Sequence, residues 1–213
     1  ARLAVPAPEA GRGVVLEAIG RVRAALPPDR GLIGFAGAPF TLAAYLVEGG
    51  GSKDFMQVKG FLHRDPEGFA DLLARIADAI APFLSAQIDA GACAVQLFDT
   101  WAGQLPPEDF RRFALPAARS IIERVRRPGV PFIYFVNGAA PYLDDLRGCG
   151  ADVLGIDFRM DLGQAIARLG PDVAVQGNLD PAVLLGPAEA IAARAAAIVQ
   201  AGRAARGHVF NLG

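Results

Sequence analysis

The sequence has 213 residues, 53% of them hydrophobic, with 25 glycines and 16 prolines; this composition excludes a disordered chain and fits a folded α/β protein with many turns. A formal net charge of −1 gives no general field for nucleic acid or an anionic membrane, so an anionic ligand has to be held by locally placed groups. The cysteines, Cys93 and Cys149, stand apart from each other and from His63 and His208. Neither a disulfide framework nor a zinc set at ligand spacing is expected, and a reducing cytosol is the compartment that fits.

The opening, Ala1 to Gly13, is rich in Ala and Pro, reads as an irregular lead-in and lacks the basic start and apolar centre of a signal peptide. Val14 to Leu26 has helical spacing (Val15, Ile19, Val22, Ala25) and stops at Pro27-Pro28. A strand is expected over Leu32 to Ala36. Gly37-Ala38-Pro39 breaks it, because proline's fixed φ and missing N–H suit the first turn of a helix better than a ladder. The helix that follows begins near Thr41, turns Leu42, Tyr45 and Leu46 inward, and ends at Gly49-Gly50-Gly51. Lys53 to Leu62 reads as a second short helix. Asp65 and Pro66 then provide an N-cap and a first helical residue for a long helix reaching about Ala90, with a stripe of Phe69, Leu72, Leu73, Ile76, Ile80, Phe83, Leu84 and Ile88. No apolar run reaches the roughly 18 residues of a membrane span.

From Gly91 onward one device recurs: a glycine, an apolar strand, then an aspartate at the strand's end. GACAVQLFD closes on Asp99, GADVLGID on Asp157 and GPDVAVQGNLD on Asp180, with the apolar run Phe132 to Val136 between the first two. Strands apolar on both faces and separated by helices mark a parallel sheet wrapped by helices. They begin near residues 31, 93, 131, 153, 173 and 208. The expected fold is therefore α/β of the (β/α)8 TIM-barrel type, with six of its eight parallel strands in one partial barrel domain, residues 1–213.

In such barrels ligands meet the carboxyl ends of the strands. Tyr45 reads either as a donor facing that end or as a core tyrosine. Thr100 reads as a polar donor or a helix N-cap, and Asp99 as a general acid or a support for the next helix. Asp157 with Arg159 is part of a cavity wall or a solvated ion pair, and Asp180-Pro181 is an N-cap followed by N1 proline. Phe98, Asp99, Asp157 and Asn178 are candidates to line the cavity. His63 and His208 fall away from the strand ends. GGGSK is not a phosphate loop, because its lysine follows serine instead of the required glycine.

GFAGAPFTLAAYLVEGGGSK (Gly34 to Lys53), QLFDTWAG (Gln96 to Gly103), VQGNLDP (Val175 to Pro181) and the terminal NLG, in that order, resemble the uroporphyrinogen decarboxylase family. The resemblance implies removal of four acetate carboxyls from uroporphyrinogen III to give coproporphyrinogen III in heme and porphyrin biosynthesis. It also implies a cytoplasmic homodimer that needs no metal or organic cofactor. Tyr45 matches the family's tyrosine and Thr100 its serine or threonine, both donors to substrate carboxylates. The family's catalytic aspartate, its arginine-rich loop and the histidine after NLG have no counterpart in the 213 residues, so no catalytic residue is assigned. Residues 1–213 alone are expected to be inactive. Two alternatives are a zinc-dependent, corrinoid-linked methyltransferase of the same superfamily and a non-catalytic partial-barrel binding module.

Overall fold

The computed structural model describes residues 12–213. The lead-in expected over Ala1 to Gly13 lies outside the described residues except for its last two, and Gly13 already opens a helix, α1 (Gly13–Ala25).

Six strands follow as β1 (Ile33–Gly37), β2 (Ala94–Asp99), β3 (Phe132–Val136), β4 (Val153–Gly155), β5 (Ala174–Gln176) and β6 (His208–Val209). Each pairs in parallel with the next, in the order β1-β2-β3-β4-β5-β6. The sheet curls. The Nε2 of Gln176 on β5 donates to the Oε1 of Gln96 on β2 at 3.0 Å, although three strand spacings on a flat sheet would hold them roughly 14 Å apart. Gln96 and Gln176 thus mark the concave, inner face. Phe35, Phe98 and Phe135 form a ladder on the same face, with neighbouring ring centroids 5.8 Å apart.

Alternation along each strand sends the other residues outward. Val95, Leu97, Tyr134 and Val136 are buried against the helices, with Phe69, Leu73, Ile76 and Leu84 of α4 (Pro66–Asp89) in the same core. Fully burying each large apolar side chain contributes about 1.5–3 kcal/mol, which makes this layer the main source of stability. Asp65 caps α4 as expected, its carboxylate accepting from the Gly68 N–H at 2.9 Å.

The helix α2 spans Pro39–Glu48, starting two residues before the expected Thr41, because Pro39 itself takes the first helical position. It stops where Gly49 adopts φ 76°, a left-handed conformation that glycine takes without steric cost. The next helix, α3, covers Met56–Arg64 instead of Lys53 to Leu62. After β2 the chain opens α5 (Pro107–Asp109), widens into a π-helical turn at Phe110–Ala114 and continues as α6 (Leu115–Val125). Pro116 explains the widening: it has no N–H for the carbonyl one turn back, and its ring crowds that carbonyl. The remaining helices are α7 (Leu143–Arg147), α8 (Leu162–Leu169) and α9 (Ala188–Gly202). Asp180 accepts from the Ala182 N–H at 2.9 Å, but what it opens is a 3-10 turn, Pro181–Leu185, ahead of α9.

Among the described residues no helix is long and apolar enough to cross a membrane.

Candidate functional site at the carboxyl ends of the strands

On the β1–β2 side, the site is built on a threonine. The Ala38 N–H donates to the Phe98 carbonyl at 2.8 Å, which seats the start of α2 on the end of β2. Thr41, in the first turn, donates its hydroxyl to Asp99 Oδ1 at 2.8 Å and accepts the Trp101 N–H at 3.1 Å. The Tyr134 hydroxyl donates to Asp99 Oδ2 at 2.9 Å. One carboxylate and one hydroxyl therefore join α2, β2, β3 and the turn after β2.

Asp99 is 0% exposed, so it does not line a cavity. Gln96 and Phe98 face inward, and Asp99, one residue further on, faces the helices. It accepts hydroxyl hydrogens there, and the Thr41 backbone N–H in the first turn of α2 also favours its charged form. Burial pushes its carboxyl up from 3.8 to about 6, with the Thr41 and Tyr134 hydroxyls opposing the shift. Burial, followed by the charge of Asp99, likewise raises the Tyr134 phenol well above its ordinary value.

Tyr45 lies one turn beyond Thr41 on α2 and is 41% exposed, which removes the core-tyrosine reading. Its ring meets Trp101 edge-on at 6.0 Å, and Trp101 packs on Phe55 at 4.7 Å. Thr100 sits half-buried between Asp99 and Trp101, both of them bound to Thr41. It does not cap: the short 3-10 turn that follows, Ala102–Gln104, has Trp101 at its N-cap and no side-chain cap bond. Neither the Tyr45 nor the Thr100 hydroxyl has a protein hydrogen-bond partner among the described residues. The structure thus brings both to the same rim with their hydroxyls unengaged.

The β3–β5 side is held by a second buried carboxylate. Asp157 is 1% exposed. Its Oδ2 accepts from the Gly138 and Ala139 N–H groups at 2.8 and 3.2 Å, and its Oδ1 from the Arg159 N–H at 3.0 Å. Asp157 is therefore neither cavity lining nor half of a solvated ion pair; it fastens the loop after β3 to the loop after β4. Asn178, also buried, donates its amide to the carbonyls of Asp157 and Met160 at 3.0 and 2.7 Å and adds the loop after β5. It borders a cavity of about 250 Å³ together with Arg159, Met160, Asp180 and Ile198. Phe98 is half-buried on the inner face, between Phe35 and Phe135.

The two sides touch at Gly103, where a Cβ would fall 2.0 Å from the Asn137 carbonyl oxygen. Only glycine permits that approach, which accounts for the end of the LFDTWAG word.

His63 stands 3.8 Å from Asp109 on the helical exterior, and the His208 Nε2 is 2.7 Å from the Gly177 carbonyl oxygen. Among the described residues no three His, Cys, Asp or Glu side chains gather as a metal-holding group. Reading the sequence missed Thr41, Tyr134 and the bracing role of Asp157. The available signal for Thr41 was a hydroxyl in the first turn of an otherwise apolar helix, one turn before Tyr45.

Comparisons with known proteins bear on the family and the fold. The family model described as uroporphyrinogen decarboxylase (URO-D) matches residues 1–213. The chain is 52% identical over 182 residues to a uroporphyrinogen decarboxylase of Streptomyces coelicolor, covering 85% of this chain and 51% of that protein. It is 46% identical over 213 residues to one of Myxococcus xanthus, covering 100% of this chain and 61% of that protein. The chain thus spans between half and two thirds of the length of these curated relatives. A solved methyltransferase from Methanosarcina mazei superposes with a TM-score of 0.85 at 23% identity, over 99% of this chain and 62% of that one; this likeness shows the fold alone. Six parallel strands, the matched words at their carboxyl ends and the family model over the whole chain lead to one conclusion: the chain belongs to the uroporphyrinogen decarboxylase family, whose fold is the (β/α)8 barrel.

Proposed function

We propose that the whole protein decarboxylates the four acetate side chains of uroporphyrinogen III to coproporphyrinogen III, and that residues 1–213 contribute one partial barrel domain carrying part of the substrate cleft. The observation that supports this most is the pair of unengaged hydroxyls, Tyr45 and Thr100, tied to one rim through Thr41. Each donates to a carboxylate on the substrate's edge, while the exposed ring of Tyr45 offers an apolar surface to the flat macrocycle.

The reaction suits such a site. A pyrrole protonated at carbon accepts the electron pair released as carbon dioxide departs; a second proton then converts the remaining methylene carbon into a methyl group while the first proton leaves the ring carbon and restores the pyrrole, so that one proton is taken up for each carbon dioxide released. The protein's tasks are to orient the rings, stabilise charge near the pyrrole nitrogens and deliver protons. Tyr45 and Thr100 serve the first task. The resemblance also supports a homodimer, a cytoplasmic setting and a reaction without a cofactor. The test is anaerobic incubation of the purified whole protein with uroporphyrinogen III. Coproporphyrinogen III is the expected product, and a tetrapyrrole that keeps all its acetates would refute the reading.

A further inference from the structure

Arg159 is the one cationic side chain, among the described residues, in the connections that lead from a strand directly into the next helix. An octacarboxylate bound at this rim has to find its positive partners there or on other parts of the protein. The surroundings of Arg159 show what it has to offer. Its Nη1 donates to Asn137 Oδ1 at 2.9 Å and stands 3.6 Å from Asp157 Oδ1, beyond a close charged hydrogen bond. Asp157 is already engaged by three backbone N–H groups. The other guanidinium N–H groups have no protein hydrogen bond among the described residues, and the side chain is 56% exposed.

The guanidinium is nonetheless held in place. Asn137 fixes one edge, and the Phe158 ring lies 5.3 Å from Cζ. This turns a planar fork of donors outward at the end of β4. Tyr45 and Thr100 stand at the ends of β1 and β2, and the Gly103–Asn137 contact joins the two groups. Donors on both sides of that contact can meet different carboxylates of one macrocycle.

We propose that Arg159 binds a carboxylate of the tetrapyrrole through its unengaged N–H groups, with Asn137 positioning the guanidinium. This rests on the decarboxylase reading. A fixed guanidinium matches a carboxylate with two parallel hydrogen bonds, which a lysine ammonium cannot reproduce.

The test is steady-state kinetics of the whole protein and of Arg159→Gln, Arg159→Lys and Asn137→Ala, with thermal unfolding as a control. Arg159→Gln is expected to raise KM for uroporphyrinogen roughly ten-fold with kcat nearly unchanged, because an interaction present before and during reaction is lost. Arg159→Lys should recover part of that loss. Asn137→Ala should raise KM about three-fold by releasing the fork. Rising salt should increase KM of the unmutated protein more than that of Arg159→Gln. A KM for Arg159→Gln within two-fold of the unmutated value, or a fall confined to kcat, overturns the proposal while leaving the decarboxylase reading intact. An unmutated protein that neither turns over nor binds uroporphyrinogen overturns both.

Discussion

The two sides of the rim solve the same construction problem with different donors. At the β1–β2 side, Asp99 points away from the cavity into the helix layer and is satisfied by the hydroxyls of Thr41 and Tyr134. At the β3–β5 side, Asp157 stands above the inner face and is satisfied by three backbone N–H groups. Both carboxylates are buried, and both join consecutive loops. The lesson is a division of labour. The most conspicuous acids at the strand ends are braces, and the groups we propose for a ligand are those with donors left over, the Tyr45 and Thr100 hydroxyls and the outer N–H groups of Arg159.

Removing each brace in turn separates the two sides most strongly. Asp157→Ala strands three N–H donors in a buried loop, and a loss of about 3–5 kcal/mol in chemical denaturation is expected. Asp99→Ala strands two hydroxyls that can rotate towards other acceptors, so about 2–4 kcal/mol is expected. Equal losses would erase the distinction between backbone and hydroxyl bracing.

The next effect is one of pH. Asp99 has a folded value of about 6 against 3.8 in its ordinary state. Between these values the folded chain holds a proton that the unfolded chain has released, so stability falls as pH rises from about 4 to 6 and then levels off. The size of that decline is about 3 kcal/mol. Asp99→Asn keeps an acceptor for Thr41 and a donor for Tyr134 without titrating. Its unfolding free energy, measured across that window, should lack this component. An unchanged pH profile would mean that Asp99 is not the group responsible.

The smallest effects belong to the two unengaged hydroxyls. Tyr45→Phe is expected to raise KM five- to ten-fold and Thr100→Val two- to five-fold, each with a melting temperature within about 1 °C of the unmutated protein. A fall in melting temperature with unchanged KM would make either residue a brace after all.

Much of the fold was legible because its signals are local. Near-continuous apolar runs placed all six strands to within a few residues, and Asp65-Pro66 marked the start of α4, since a capping side chain answers to backbone only three residues away. The candidate site was legible in part. Tyr45 and Thr100 follow strands and reach the expected rim. Asp99 was misplaced although its sequence held a corrective: next to an inward Phe98, strand alternation sends Asp99 to the other face. Arg159 was noticed only as a neighbour of Asp157, because the adjacency in sequence concealed that Asp157 spends its oxygens on main-chain donors.

Local pattern alone was enough for the order of strands and helices and for the parallel barrel class, because each follows from periodicity, glycine and proline within a few residues of chain. Which polar groups at the carboxyl ends of the strands are engaged depends on contacts between distant segments. Thr41 meets Asp99 across 58 residues, Tyr134 meets it across 35, and Gln176 meets Gln96 across 80. Such bonds depend on how far the sheet curls and which face each strand turns inward, and so on packing between segments that no local pattern encodes.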